Sequence, residues 1–155
     1  MFRPITPADT IPLVELTART GVFKPLELAA LREVFDDYYT ENRALGHRSF
    51  LWVERERPRG YVYFAPIPMT EGTWSLYWIA VEPEQQGRGL GRKLLEFVEV
   101  EARERRGRLL LIDTSTLPRY EATRQFYVRN GYSAAAHIPD YYAEDDGLII
   151  FSKRL

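Results

Sequence analysis

The chain of 155 residues contains no cysteine. Disulfide bonds, thiolate metal ligands and a cysteine nucleophile are therefore all excluded. Histidine is also scarce, because the only two, His47 and His137, stand in different segments without a second ligand at the spacing of a metal site. We therefore expect no metal ion and no catalytic histidine.

The chain also has no excess of charge of either sign. Its 21 Lys and Arg residues nearly balance its 22 Asp and Glu residues, and the formal net charge is -1. This balance indicates no general affinity for nucleic acid or anionic membranes. The first seven residues contain no apolar signal segment, and no later stretch approaches the roughly 18 uninterrupted apolar residues of a membrane-spanning helix. We expect a soluble, cytoplasmic protein with neither nucleic-acid nor membrane partners.

Length and composition favour one domain that spans residues 1–155. An apolar fraction of 45% is typical of globular proteins, and a chain of this length can bury one core of ordinary size. The periodicities predict the element order β-α-α-β-β-β-α-β-α-β-β, which is an α/β fold with a mixed sheet and helices on both faces. The expected elements are residues 2–6, 9–21, 25–43, 49–56, 60–66, 74–81, 89–106, 109–112, 121–130, 132–138 and 148–153.

Several details of this prediction depend on turn residues. Pro58-Arg59-Gly60 is expected to form a turn between two antiparallel strands, Gly107 to cap the long helix, and residues 139–147 to form the last loop. The unbroken apolar run of residues 109–112 is typical of a parallel strand buried on both faces. The second helix is expected to bury one face, made of Leu26, Leu28, Leu31, Val34, Phe35 and Tyr38.

The strongest functional signal is a predicted strand that runs into the glycine-rich segment Gln86-Gly87-Arg88-Gly89-Leu90-Gly91 and then into a helix. Glycines let the backbone approach a ligand closely. Free N–H groups and the positive end of the helix dipole favour a phosphate at such a point. The segment therefore predicts an anion-binding cradle, although a plain connecting turn has the same glycines.

Nucleotide-binding motifs fit this segment poorly. Both G-x-G-x-x-G and G-x-x-x-x-G-K-[ST] fail, because Arg92 follows Gly91. Asp113, at the end of the next predicted strand, still allows a dinucleotide-binding enzyme that uses this carboxylate on a ribose.

Two motifs in order resemble the GNAT family of N-acetyltransferases. The first is Gln86-x-x-Gly89-x-Gly91, and the second, about 40 residues later, is Phe126-Tyr127-Val128-Arg129-Asn130-Gly131-Tyr132. The predicted element order resembles the family fold over essentially the whole chain. The resemblance implies an enzyme that moves an acetyl group from acetyl-coenzyme A to an amine.

The resemblance also implies roles for individual residues. Backbone amides of the glycine-rich segment would hold the coenzyme A pyrophosphate, the preceding strand would pair with the pantetheine arm, and the later helix would flank the cofactor. Tyr127 would protonate the departing thiolate, since a phenol with a pKa of about 10 stays protonated at neutral pH. The cofactor-binding set is Ile79, Ala80, Val81, Gln86, Gly87, Arg88, Gly89, Leu90, Gly91, Arg92, Thr123, Phe126 and Tyr127, with Arg119, Tyr120 and Arg129 as further contacts.

The chain departs from the commonest family pattern at Tyr120 and Thr123, where relatives often carry Asn and Ala. The extended pattern, followed by Ile138-Pro139-Asp140-Tyr141-Tyr142, resembles a bacterial subgroup whose substrates the sequence does not assign.

Without a cysteine or a plausible Ser–His pair, direct attack by a bound primary amine of a small molecule or peptide is the simpler mechanism. Glu71 and Asp140 are candidates for the general base. A non-catalytic acyl-CoA-binding or sensor domain is the alternative. The family also suggests a homodimer, and it suggests an acceptor pocket lined by Phe23, Asp36, Asp37, Tyr39, Trp78, Asp140, Tyr141 and Tyr142, an acidic and aromatic mixture suited to a cation.

Overall fold

The computed structural model describes residues 1–155, and its element order agrees with the predicted one. The strands form one mixed sheet in the order β1-β2-β3-β4-β5-β7-β6, in which β4 and β5 are parallel. No helix is long and apolar enough to cross a membrane. The elements are β1 (Phe2–Pro4), α1 (Thr10–Arg19), α2 (Pro25–Asp37), β2 (Arg48–Glu54), β3 (Arg57–Pro66), β4 (Thr73–Val81), α3 (Leu90–Glu104), β5 (Leu109–Ser115), α4 (Glu121–Arg129), β6 (Ser133–Ala143) and β7 (Asp146–Arg154).

The chain divides into two compact units, which are residues 1–65 with 78–98, and residues 66–77 with 99–155. The first unit contains α1, α2, the first three strands and most of α3. Its core is apolar and rich in tyrosine, which a buried site accepts because the ring is mostly hydrocarbon. The buried cluster consists of Ile5, Leu13, Leu16, Leu31, Phe35, Tyr38, Leu51, Tyr61, Tyr63 and Ala80.

The hairpin between β2 and β3 turns earlier than the sequence predicts. Arg55 and Glu56 both have positive φ, 49° and 62°, and they form the two-residue connection. Two consecutive left-handed residues match the twist of the paired strands, so this connection is favoured over a longer turn. The expected turn at Pro58-Arg59-Gly60 is therefore wrong, and these residues belong to β3, where Pro58 sits at a register shift.

Close packing, and not a turn, explains the glycine at position 60. A Cβ atom there would stand 2.9 Å from the carbonyl oxygen of Ala80 and 3.0 Å from Cδ1 of Leu94. Only a residue without a side chain allows β3 to approach β4 and α3 this closely.

Helix α2 buries a narrower face than predicted. Leu31, Phe35 and Tyr38 are buried, but Leu26 is 81% exposed in the first turn. The helix continues as a π-helical turn, Tyr38–Asn42, so that the helical stretch ends close to the predicted residue 43.

Helix α3 confirms the predicted buried face at Leu90, Leu94, Leu95, Val98 and Ala102. Its C-terminal residue with positive φ is not the predicted glycine but Arg106, at 61°. The following glycine is needed for space, because a Cβ on Gly107 would lie 2.7 Å from the Ala102 carbonyl oxygen.

The second unit pairs the start of β4 with β5 in parallel, from Thr73↔Leu109 to Leu76↔Ile112, and then β5 with β7 and β7 with β6. Burial alternates along β5, so the expectation of a strand fully buried on both faces is wrong in detail. The last hairpin also differs from its prediction. Its expected loop, residues 139–147, belongs largely to strands, since β6 runs to Ala143 with a register shift after Ile138.

Candidate active site

The segment after β4 forms an open turn in the first unit. Gly87 and Gly89 have φ values of 73° and 83°, which L side chains rarely adopt. No atom lies within 4 Å of the Cβ position at either glycine, so the requirement is one of backbone conformation and not of crowding. Gly91 lies in the first turn of α3. The exposed backbone of this turn is accessible to a ligand.

The N–H groups of residues 87–92 donate none of the hydrogen bonds found in the structure, whereas Lys93 N donates to the Gly89 carbonyl at 3.1 Å. These groups stand at the N-terminus of the 15-residue helix α3, where the helix dipole favours an anion. Arg88 is exposed, and Arg92 is exposed and pairs with Glu96 at 2.7 Å. The turn is therefore chemically suited to a phosphate group.

The strand that enters this turn carries the other predicted contacts. Ile79 and Val81 are half-buried and Ala80 is buried. The parallel pairs of β4 end at Leu76, although β4 itself runs to Val81. The Val81 carbonyl accepts a hydrogen bond from Nε2 of Gln86 at 3.2 Å, so the side chain of Gln86 contacts the end of this strand.

Glu82 is a buried acid beside the turn that sequence reasoning missed. It accepts hydrogen bonds from Arg59 at 2.5 Å and from Arg19 at 3.2 Å. Burial alone would raise the pKa of Glu82, but the hydrogen bonds from the two arginines hold this pKa below its usual value. The sequence signal that could have found it is an acid between an apolar strand and Pro83.

Tyr127 lies in α4, in the second unit, and is 4% exposed. Its ring contacts those of Phe126, Tyr132 and Phe151 at centroid distances of 5.5, 6.0 and 5.6 Å. Burial raises the pKa of Tyr127 above its ordinary value, so the hydroxyl stays protonated through the neutral range. Thr123 is half-buried on the same helix, as is Phe126.

Arg124 braces the segment that leads into α4. Its guanidinium donates to the carbonyls of Ser115 at 2.6 Å and Leu117 at 3.0 Å, and it pairs with Glu121 at 2.7 Å. Sequence reasoning assigned this residue no role, because its hydrogen bonds to the two backbone carbonyls leave no pattern in the sequence.

The three further contacts predicted for the cofactor differ in their exposure to solvent. Tyr120 is buried, while Arg119 and Arg129 are exposed. Arg119 stacks over the Tyr120 ring at 5.6 Å.

The residues expected to line an acceptor pocket fall in both units. In the first, Phe23 and Trp78 have ring centroids 5.4 Å apart, and Asp36 and Asp37 are exposed. Tyr39 packs against the core cluster, and burial raises its pKa to about 12.

In the second unit, Tyr141 and Tyr142 form an edge contact at 4.9 Å and are about half exposed. Asp140 accepts a hydrogen bond from Asp145 N at 2.8 Å, so its carboxylate already holds the hairpin end. Glu71 is exposed.

His47 contacts a tyrosine of the first unit, and Asp113 lies in β5. His47 is half-buried, and its Nδ1 forms a hydrogen bond of 2.7 Å with the Tyr63 hydroxyl. No group of three or more His, Asp or Glu side chains is arranged to hold a metal ion. Asp113 is exposed, and desolvation of its carboxyl raises its pKa above the usual value.

Comparisons with known proteins agree on the fold. The family model of the acetyltransferase (GNAT) domain matches residues 46–134. A crystal structure assigned to the GNAT family, from Desulfovibrio desulfuricans, is 37% identical with a TM-score of 0.94, and the match covers 99% of this chain and 98% of that one. Among proteins of curated function, no sequence matches this chain.

Two more distant structures share the fold. The ribosomal-protein-S18-alanine N-acetyltransferase of Escherichia coli has 19% identity and a TM-score of 0.79, over 99% of this chain and 92% of that one. An aminoglycoside 6′-N-acetyltransferase crystallised with coenzyme A has 16% identity and a TM-score of 0.77, over 99% and 96%.

The mixed sheet and the element order match those of a GNAT acetyltransferase structure. The family model covers more than half of the chain, and the Desulfovibrio structure is related over nearly its whole length. The chain therefore belongs to the GNAT family of acetyltransferases, and it is an N-acetyltransferase.

Proposed function

We propose that the protein transfers acetyl from acetyl-coenzyme A directly to a primary amine of a small molecule or peptide. The observation that carries this proposal is the run of free N–H groups at residues 87–92 in an open glycine turn. The crystal structure of the related aminoglycoside acetyltransferase with coenzyme A supports the same cofactor.

The glycine turn fits a pyrophosphate. The backbone of Gln86 to Gly91 would donate to its oxygens, the α3 dipole would add a favourable field, and Arg92 would add a positive charge. The backbone of Ile79 to Val81 would hold the pantetheine arm by strand-like hydrogen bonds, as the resemblance implies. Substitutions there should act through packing, because the side chains are not the proposed contacts.

Tyr127 is the proposed general acid for the thiolate that leaves when the amine attacks. Acetyl-coenzyme A supplies the activated thioester, and the phenol supplies the proton. The raised pKa of Tyr127 suits an acid that must begin each turnover protonated. Thr123 and Phe126 are proposed to contact the cofactor from the same helix.

We propose that the general base is either Glu71 or Asp140. The carboxylate of Asp140 accepts a hydrogen bond from a backbone N–H, while Glu71 is exposed. Comparison of the Glu71→Gln and Asp140→Asn variants in pH profiles of kcat/KM would separate them, since loss of the base removes the acidic limb.

The first experiment is calorimetric titration of acetyl-coenzyme A, coenzyme A and NAD into the protein and into its Gly89→Val variant. We expect both coenzyme A species to bind the wild type, and we expect the variant to lose this binding. Gly21→Val is the matched control, because Gly21 also has positive φ, 77°, with no atom within 4 Å of its Cβ position, but lies outside the turn. Binding of NAD alone would refute the proposal and direct attention to Asp113.

The alternative of a non-catalytic acyl-CoA sensor makes a different prediction. Such a protein would bind coenzyme A but acetylate no member of an amine panel, and Tyr127→Phe would change nothing. Release of free thiol in the presence of an amine separates the two functions directly.

Other properties belong to the same proposal. We propose that residues 1–155 act as one acetyltransferase unit in the cytoplasm, without nucleic-acid or membrane partners. A homodimer is a separate proposal from the family resemblance, and sedimentation equilibrium tests it.

A further inference from the structure

Glu82 stands directly before the 3₁₀ turn Pro83–Gln85, which leads from β4 into the glycine turn. Its side chain is only 9% exposed although it is a carboxylate. Buried carboxylates occur mainly where cations or hydrogen bonds pair them. The partners of Glu82 therefore indicate what this residue does.

Arg59 is attached to Glu82 twice. Its Nη1 donates to Oε2 of Glu82 at 2.5 Å, and the Glu82 N–H donates to the Arg59 carbonyl at 2.8 Å. The Nε of Arg59 is buried and has no hydrogen-bond partner, so Nη1 makes the hydrogen bond that pairs this guanidinium with Glu82. Arg19, at the end of α1, donates to the other carboxylate oxygen at 3.2 Å. Glu82 thus joins β3 and α1 to the end of β4.

The neighbouring Glu84 has a different environment. Its side chain is 66% exposed and reaches Arg19 only at 3.9 Å. Exposed ion pairs of this kind contribute little. Two acids in one short segment therefore differ in burial and pairing, and only Glu82 is held in place.

The glycine turn itself has few bonds that fix its shape. The N–H groups of residues 87–92 make no internal hydrogen bond, and three of these residues are glycines, which have wide backbone freedom. The entrance is fixed, because Gln85 N donates to the Glu82 carbonyl at 2.8 Å. The hydrogen bonds nearest to the turn are thus those at its base.

A lone carboxylate at the base of an anion-binding turn would oppose the anion, because like charges repel strongly where water is excluded. The two arginines remove this difficulty, since they neutralise the acid while they hold it. The arrangement keeps the anchoring bonds without leaving an unpaired negative charge.

We propose that Glu82, held by Arg59 and Arg19, is a positioning residue that sets the conformation of the pyrophosphate-binding turn. This inference rests on the proposed function, because it assumes that the turn binds the pyrophosphate of coenzyme A. Glu82 itself touches no part of the cofactor in this proposal and acts through the backbone that follows it.

The test is the dissociation constant of coenzyme A, measured by calorimetry on the full chain, for wild type, Glu82→Gln, Glu82→Asp and Glu84→Gln. Misplacement of a binding group by about 1 Å can weaken function by up to about 100-fold, so we expect Glu82→Gln to weaken binding by about 10-fold or more. Glu84→Gln is the matched control and should bind as wild type, because its pairing is exposed.

The order of the two Glu82 variants separates charge pairing from packing. Gln keeps the shape and loses the charge, whereas Asp keeps the charge and is one methylene shorter. If pairing with the arginines sets the turn, Asp retains more affinity than Gln. If the side chain only fills space, Gln binds as wild type and Asp is the weaker, which would overturn the inference.

Arg59→Met supplies the second test, and it decides the matter if Glu82→Gln does not fold. It should weaken coenzyme A binding in the same direction, and the double variant with Glu82→Gln should be no weaker than the worse single variant, since both remove one pair. A wild type that does not bind coenzyme A refutes the proposed function, and this inference with it. Wild-type binding with unchanged affinity in Glu82→Gln and Arg59→Met refutes this inference alone.

Discussion

Replacement of Tyr127 by Phe isolates the proposed acid from its packing. The variant keeps the ring that contacts Phe126, Tyr132 and Phe151, and it removes a hydroxyl that takes part in none of the hydrogen bonds found in the structure. The stability of the fold should therefore change little. Loss of a general acid lowers rates by about 100-fold or more, which corresponds to about 2.7 kcal/mol in the activation barrier.

The assay follows thiol release from acetyl-coenzyme A with an amine acceptor, together with thermal unfolding and coenzyme A affinity by calorimetry. We expect kcat to fall by about 100-fold while the affinity for coenzyme A and the unfolding midpoint stay near wild type.

Tyr132→Phe is the matched control, because Tyr132 is also a buried tyrosine whose hydroxyl donates to Glu99 at 3.0 Å. This variant should lose stability, by about 1–3 kcal/mol, and keep its rate. A wild-type kcat in Tyr127→Phe would show that the tyrosine is a packed aromatic and that the proton comes from elsewhere.

Three further predictions concern stability. Gly60→Ala should destabilise the fold by about 1–3 kcal/mol, because the new Cβ would lie 2.9 Å from the Ala80 carbonyl oxygen. Thermal unfolding measures this loss. An unchanged unfolding midpoint would mean that β3 and β4 can move apart without loss of stability. Lys153→Met should cost about 1–3 kcal/mol, because it removes the 2.8 Å bond to the buried Glu99, and urea unfolding should show a lower midpoint with an unchanged slope. Alkaline pH should also destabilise the protein, because burial raises the pKa of tyrosines such as Tyr61 above the unfolded value of about 10. Below pH 10 both states are protonated and stability is full, whereas above it the unfolded chain loses protons first; an unfolding midpoint that rises between pH 9 and about pH 11 would contradict this sign.

Much of the architecture was predictable because it follows from local patterns. The apolar positions of α3, from Leu90 to Ala102, recur at helical spacing and are buried as expected. The glycine turn was predictable for the same reason, since Gly87 and Gly89 adopt positive φ where the chain passes from strand to helix. Helix and turn propensities depend on neighbouring residues in the chain, so they can be predicted without knowledge of the rest of the fold.

The errors fall where another part of the chain outweighs a local signal. Pro58 and Gly60 are typical of a turn, but the hairpin between β2 and β3 turns before them. Gly60 lies in β3, where its missing side chain leaves space for atoms of β4 and α3. Leu26 fits the helical stripe and is nevertheless 81% exposed, because nothing packs on that turn of α2. β6 extends across Pro139 because β7 pairs with it on the far side of the irregularity.

The sequence by itself determined the order of elements, the absence of cysteine chemistry, the glycine turn and the tyrosine of α4. These features depend on residue type and on spacing along the chain, so each can be read within one segment. Tertiary structure alone decided that Glu82 is buried between Arg59 and Arg19, residues distant in the sequence. Charge pairing depends on distance in space, and a linear sequence does not contain that distance.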